Sequence, residues 1–464
     1  MATLPSIVLR TIAMQLVDDL KDNALCKKAV SVLCSLRLTC RELAQMGLIK
    51  TVLFSSINLY ATKNNMLRVE QTDFSAIGPS IRQINFFPSP YFYNLKFSDF
   101  KKMLDLHNAQ ITDSNLCERC SARLVRNNFQ ETCDGRYPLS RDEILMRYQS
   151  YMERACEDKH SAIDGWLAKV WVKMLRFSQY VDTIKLCPAS QATSQMPYPL
   201  VQVDCGECHT CCENVGLIDA MAGSSGDCLL TAVYGALASS LPIKNLSIEC
   251  ELMDATTANW RALRWRTAIL EQVETLIIKE LPYGMRGHSD DSARDGKASV
   301  LVSDALWEVR KTVQHIILLR RSWPMAPRRS DLLPFFGYNG EFPCLRFLDL
   351  KSFNLWTSYF TSFIASCAAL QTLSLEKCKI AGPDGEWKAF FDSVRERPRA
   401  LHLTFYGMGS KDGPWDFNSG LGRNAGDGVS TSDSAAGLQK SLFLYLSRLA
   451  GWDTVLEDRF SETW

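Results

Sequence analysis

The sequence predicts an α/β chain in which an N-terminal helical hairpin precedes an irregular array of alternating short strands and helices. Three observations predict it. Nine times beyond residue 50 the chain returns to the pattern apolar-x-x-apolar-x-apolar, whose last two apolar positions fall on one face of a β-strand. Segments with helical periodicity separate these triplets. The first fifty residues, finally, carry apolar side chains at helical spacing over a length too short to enclose a core of their own.

In the N-terminal stretch Pro5 stands where a helix begins, a position that suits its fixed φ and missing N–H, so a first helix is expected from about Pro5 to Leu20. Leu4, Ile7, Val8, Leu9, Ile12 and Leu16 form its apolar stripe. A second helix is expected from about Leu25 to Leu43, with Val32, Leu33, Leu36, Leu38 and Leu43 facing inward. Burying such side chains contributes about 1.5–3 kcal/mol each. That is enough for a docking surface or for a hairpin that caps a larger domain, and the spacing alone leaves both open.

The residues of this stretch resemble a known family. Leu4-Pro5, Leu9 and Ile12, followed by Leu36-Arg37-Leu38-Thr39-Cys40-Arg41-Glu42-Leu43, are similar to an F-box of the fungal type. The resemblance covers residues 1–50. It implies docking on a Skp-type adaptor, and through it on a cullin-RING ubiquitin ligase. Leu4, Pro5, Val8, Leu9, Ile12, Leu36, Leu38 and Leu43 would form the adaptor interface.

The triplets that follow are Phe54-Ile57-Leu59, Ile81-Ile84-Phe86, Val181-Ile184-Leu186, Ile243-Leu246-Ile248, Val273-Leu276-Ile278, Val313-Ile316-Leu318, Leu345-Leu348-Leu350, Leu370-Leu373-Leu375 and Pro398-Leu401-Leu403. Their starts are 27, 100, 62, 30, 40, 32, 25 and 28 residues apart, and the shorter intervals lie in or near the range of leucine-rich repeats. In the most complete unit Leu370, Leu373, Leu375, Cys378 and Ile380 fill every place of the leucine-rich template, and in the preceding one Phe353 takes the turn position with Leu355 after it. Helices are expected at Phe97–Leu106, Asp227–Leu241, Thr257–Val273, Ser303–Val313, Trp356–Ala369 and Glu386–Arg395. The chain thus resembles an irregular leucine-rich-repeat solenoid over residues 51–407. Strand–helix alternation is equally the mark of a doubly wound sheet or a βα sandwich. The recurring triplet, and the absence of a Gly-rich phosphate loop after any expected strand, favour the array.

Residues 105–215 form a helical and Cys-rich insertion into this array. Ser140-Arg141-Asp142-Glu143 is a capping box, which starts a helix at Arg141 that is expected to run to about Cys156. Another is expected from Ala162 to Phe177, with Trp166, Val170, Trp171 and Met174 as packing residues. Residues 408–437 are rich in Gly, Ser and Asp and read as a flexible linker. Residues 438–464 then supply a terminal helix, Leu438–Leu449, with Trp452 and Phe460 behind it.

Bulk composition narrows the classes of function. With 464 residues and 46% hydrophobic content the chain builds a substantial core, and 52 Lys plus Arg against 51 Asp plus Glu leave it near neutrality. Such a balance gives no general attraction to nucleic acid or to an anionic membrane. No apolar run is long enough to span a bilayer, and no secretory leader is evident, so the expected setting is the cytoplasm or nucleus. Its 17 cysteines are an odd number at a density below that of disulfide-stapled domains, and read as buried thiols or metal ligands.

Cys117-Glu118-Arg119-Cys120 and Cys205-Gly206-Glu207-Cys208 are paired knuckles suited to one structural zinc ion. The 84 residues between Cys120 and Cys205 add about 4 kcal/mol of closure entropy, against roughly 10–16 kcal/mol available from structural zinc. Cys133, His209, Cys211 and Cys212 are alternative ligands, and free thiols or a redox dithiol are the competing readings. No catalytic constellation is present: the histidines are scattered, none lies in a His-Glu-x-x-His pattern, and Gly223-Ser224-Ser225-Gly226 is a turn rather than a nucleophile elbow. The expected function is therefore a non-catalytic adaptor that holds a protein target on its repeats. A repeat scaffold with no ubiquitin-ligase link is the alternative.

Overall fold

The computed structural model describes residues 53–89, 95–101 except 99, 140–187, 241–249, 270–281, 308–320, 342–381, 386–408 except 398, 415–418 and 433–460, with positions 11, 32, 35, 50, 91, 235, 236, 239 and 306. Its spine is a 10-stranded sheet. The strands are β1 Ser56–Tyr60, β2 Gln83–Phe87, β3 Thr183–Leu186, β4 Asn245–Ile248, β5 Thr275–Leu281, β6 His315–Arg320, β7 Phe347–Lys351, β9 Thr372–Glu376, β11 His402–Met408 and β12 Trp415–Asn418. They lie side by side in chain order, and of the 10 only β12 runs antiparallel. Two short strands, β8 Asn354–Trp356 and β10 Lys379–Ala381, pair in parallel as a second small sheet. The fold class is α/β. Because the order never reverses, the sheet lacks the switch-point crevice of a doubly wound fold. Nor is it a uniform solenoid, since among the described residues the second rung exists only at β8 and β10.

Register explains why the sequence folds this way. Ile57, Ile84, Ile184, Leu246, Leu276, Ile316, Leu348, Leu373 and Leu403 stand in one row across the parallel strands. Two residues on, Leu59, Phe86, Leu186, Ile248, Ile278, Leu318, Leu350, Leu375 and Phe405 form a second row, each 2% exposed or less. The ninth unit corrects the sequence reading. Leu403 and Phe405, not Leu401 and Leu403, occupy its two inward strand positions.

At the entrances of β2 to β7 and of β9 one carbonyl accepts two N–H groups from the next strand. Ser55 O takes Arg82 and Gln83, Arg82 O takes Asp182 and Thr183, Asp182 O takes Lys244 and Asn245, and Lys244 O takes Glu274 and Thr275. Glu274, Gln314 and Arg346 continue the series, all at 2.7 to 3.1 Å.

Six of the seven described helices pack on the inward rows in one core. The seven are α1 Lys63–Gln71, α2 Arg141–Ile163, α3 Trp166–Leu175, α4 Thr357–Ser366, α5 Glu386–Glu396, α6 Asp433–Leu446 and α7 Thr454–Phe460. Met66, Trp171, Met174, Phe360, Phe390, Leu442 and Leu456 bring six of them into that core. None of the described helices is long and apolar enough to cross a membrane.

The capping box forms as expected, with Glu143 N–H donating to Ser140 Oγ at 3.2 Å and Ser140 N–H to Glu143 at 2.8 Å. Its helix runs past the expected Cys156 to Ile163. Tyr151 and Ala155 pack against Tyr91, Leu95 and Phe100 in a separate cluster, which extends the buried stripe. Gly165, at φ +70, then turns the chain into α3. β12 lies in the Gly-rich 408–437 segment, where composition concealed it, and seats Phe417 in the core at 1% exposure.

Two charged side chains tie distant elements. Asp158 of α2, 6% exposed, accepts the N–H of Lys63 at the start of α1 at 2.9 Å and the hydroxyl of Ser89 at 2.6 Å. Arg397 donates to the carbonyls of Ile364 at 2.6 Å, Cys367 at 2.7 Å and Leu370 at 3.2 Å, closing the C-terminal end of α4.

A turn recurs after the last strands of the array. Ser352 at φ 62, Lys377 at φ 52 and Gly407 at φ 58 follow the ends of matching register rows. Ser352 N–H donates to Glu376 O and Lys377 N–H to Tyr406 O. The left-handed region costs a residue with a Cβ about 1–2 kcal/mol. Lys377→Gly is expected to raise the urea midpoint modestly, while Gly407→Ala lowers it.

Burial pushes the Asp158 carboxyl above the ordinary range, against the opposing bonds from Ser89 and Lys63. A raised folded pKa contributes stability that is complete below the unfolded value and is lost as pH rises through the folded one. Asp158→Asn is therefore expected to flatten this part of the pH–stability curve while keeping an acceptor for Lys63. Asp158→Ala, which strands Lys63 N–H and Ser89, is expected to cost about 1–3 kcal/mol in equilibrium unfolding at neutral pH.

Candidate functional site

The face of the sheet directed away from the core is built from the positions that alternate with the inward rows. Its character changes along the array. Over β1 to β4 it is a net of amides and hydroxyls. Asn85 donates to Ser56 Oγ at 3.0 Å and to Asn58 Oδ1 at 2.8 Å, and Gln83 donates to Asn85 Oδ1 at 2.7 Å. Asn245 donates to Thr183 Oγ1 at 3.0 Å. The net ends at Tyr60 and Phe87, whose rings stack at 4.7 Å beside Cys187. Burial pushes the Cys187 thiol up to about 11, so it stays protonated near neutral pH and is a poor nucleophile.

Next comes a charged bracket. Glu249 is held by Lys279 at 2.5 Å and by Lys185 at 2.9 Å. Burial opposes the charge of Glu249, yet the bonds and charges of the two lysines hold its carboxyl below the ordinary value. Past the bracket the face turns apolar, with Ile277, Ile317 and Leu319 half-buried and His315 packed on Phe347 at 4.3 Å. It closes on Lys351 and Glu376, 2.6 Å apart. Burial pushes the Asp349 carboxyl up, while a bond from Ser374 opposes this.

Cys378, fully buried, donates to Leu350 O at 3.3 Å. Burial pushes its thiol up to about 12. A Cys at this place of the leucine-rich template is expected to satisfy a neighbouring backbone group, and the bond to Leu350 O does so.

Leu4, Pro5, Val8, Leu9, Ile12, Leu36, Leu38 and Leu43, expected from the resemblance to meet an adaptor, lie outside the described residues. So do Cys117, Cys120, Cys205 and Cys208, and the alternatives Cys133, His209, Cys211 and Cys212. Among the described residues the cysteines are free thiols, and no cluster of three or more His, Cys, Asp or Glu side chains is placed to hold a metal.

The outward residues were absent from the sequence reading, which followed inward positions only. A signal existed. In Thr275-Leu276-Ile277-Ile278 and His315-Ile316-Ile317-Leu318-Leu319 the place between the inward pair is apolar instead of polar.

Comparison of the chain with protein-family models, with curated proteins and with solved structures finds no match. What the described part of the face presents is a set of paired donors and acceptors with an apolar stretch across β5 and β6.

Glu249→Gln removes the shared anion and leaves Lys185 facing Lys279. The cost is expected to be about 1–3 kcal/mol at neutral pH. A depressed carboxyl pKa contributes stability above the unfolded value that is lost as pH falls through the folded one. The gap between wild type and variant in urea unfolding should therefore shrink on acidification.

Proposed function

We propose that this protein is a non-catalytic substrate-recognition adaptor of a Skp–cullin–F-box ubiquitin ligase. Residues 1–50 dock the Skp-type adaptor, and the sheet, read as an irregular leucine-rich-repeat domain, holds a protein target. The observation that carries this reading is the strand ladder. Eight of the nine triplets found in sequence take successive places in one parallel sheet, in chain order and in register, and the ninth strand joins them two residues further along its own segment. An array of that kind buries one face of every unit against helices and leaves the other as a continuous surface for a partner. The F-box resemblance of Leu4-Pro5 and Leu36–Leu43 supplies the link to the ligase. Ubiquitin transfer then belongs to the recruited enzymes, and the chain contributes proximity.

Pulldown with a purified Skp-type adaptor tests the link. The full-length chain is expected to retain the adaptor, and Leu9→Asp or Leu36→Asp to reduce retention at least tenfold with an unchanged melting temperature. Equal binding by full-length protein and residues 51–464, or binding by neither, would leave a repeat scaffold without a ligase role.

A further inference from the structure

We propose that the middle of the outward sheet face is a docking site for an apolar protein segment carrying carboxylates, and that it selects such segments over basic ones. This rests on the reading of the face as the target-binding surface. Towards both ends of the sheet the outward positions are mostly amides, hydroxyls or charges, but across β5, β6 and the start of β7 they become Ile277, Ile317, Leu319 and Phe347. Phe347, 37% exposed, leaves a substantial part of its ring open to a partner. Apolar area grouped in this way on a sheet face is a place where association removes surface from water.

The surrounding charges decide which apolar segment fits. Leu319 is in register with Lys351 on one side, and on the other it meets β5 where that strand bulges after Ile278, at Lys279. Bulges re-aim side chains, often beside functional sites. Both lysines are tied outward, Lys279 to Glu249 at 2.5 Å and Lys351 to Glu376 at 2.6 Å. Glu249 is also shared with Lys185, so that one acidic side chain, 9% exposed, lies between two lysine side chains 30% and 39% exposed. An ammonium carries three N–H donors, and an ion pair to one carboxylate oxygen uses one of them.

On the β5 side the accessible charge beside the apolar patch is thus cationic, while on the β7 side Lys351 and Glu376 are open to similar extents, 34% and 31%. Asp349, the acidic neighbour of Ile317 in register, is half-buried and bonded to Ser374. A carboxylate flanked by apolar residues is the complement of this surface, and a basic segment would set like charges against Lys279 and Lys351.

Panning a random dodecapeptide display library on the purified full-length chain tests the proposal, with affinities of synthetic copies of the selected peptides read by fluorescence anisotropy. The selected peptides are expected to combine apolar residues with Asp or Glu. Their affinity should fall at least tenfold with the double substitution Lys279→Gln and Lys351→Gln, and as much when the peptide's acidic residues are replaced by Lys. Ile317→Asp should abolish binding, and Ile317→Thr, which keeps a β-branched side chain, should weaken it with an unchanged melting temperature. If the Ile317 variants lose binding while the double lysine variant and the charge-swapped peptides bind normally, the acidic preference is overturned and the target-face reading survives. If no peptide is selected, or neither set of variants matters, both are overturned.

Discussion

Register between consecutive strands is the constraint on which everything else in this protein depends. From β2 to β7 and at β9 each strand entrance places two N–H groups on one carbonyl at the start of the strand before it, and the series runs unbroken from Ser55 to Arg346. A slip of one residue anywhere would exchange faces, sending Asn58, Lys185 or Asp349 towards the core and its aliphatic rows towards water. Paired hydrogen bonds and hydrophobic rows therefore enforce the same alignment. That agreement explains how the array tolerates connections as unequal as those from Ile81 to Val181 and from Leu345 to Leu370. Closure entropy grows only with the logarithm of length, whereas each correctly paired strand recovers its whole buried face.

An open sheet must also deal with its ends. At the C-terminal end β12 reverses direction, and Phe391, Phe405 and Phe417 form an aromatic chain beneath it. Tyr445 and Trp452 extend this cluster to α6 and to the turn before α7, with rings 5.0 Å apart and Tyr445 also bonded to Asp392. Near the N-terminal end the corresponding work falls to polar groups. Asp158 fastens α2 to the start of α1 and to Ser89, beyond the end of β2, and the outward amide net joins β1 to β2. A buried carboxylate is a costlier fastening than an aromatic cluster, since its charge is disfavoured away from water.

Where the physics is local, the sequence was readable. The inward residues of the first eight triplets, the capping box at Ser140 and the helix at Glu386 follow from periodicity and from neighbours within a few residues. Legibility failed where the partner is remote. Arg397 reaches carbonyls up to 33 residues away, and Asp158 caps a helix 95 residues away. In the ninth unit Leu401, Leu403 and Phe405 are all apolar, so two alignments fit the pattern. Pairing with Leu373 and Leu375 selects one of them.

The sequence by itself determined the α/β class and the inward face of the array, because hydrophobic periodicity is written in the chain at the scale of one strand or one helical turn. Tertiary structure alone decided what the outward face is. Lys185, Glu249 and Lys279 become one bracket, and Ile277, Ile317 and Leu319 one patch, only because strands far apart in the chain are held side by side in register. Side chains that meet across a sheet obey the alignment of backbones rather than their order in sequence, and that alignment comes into being only with the fold.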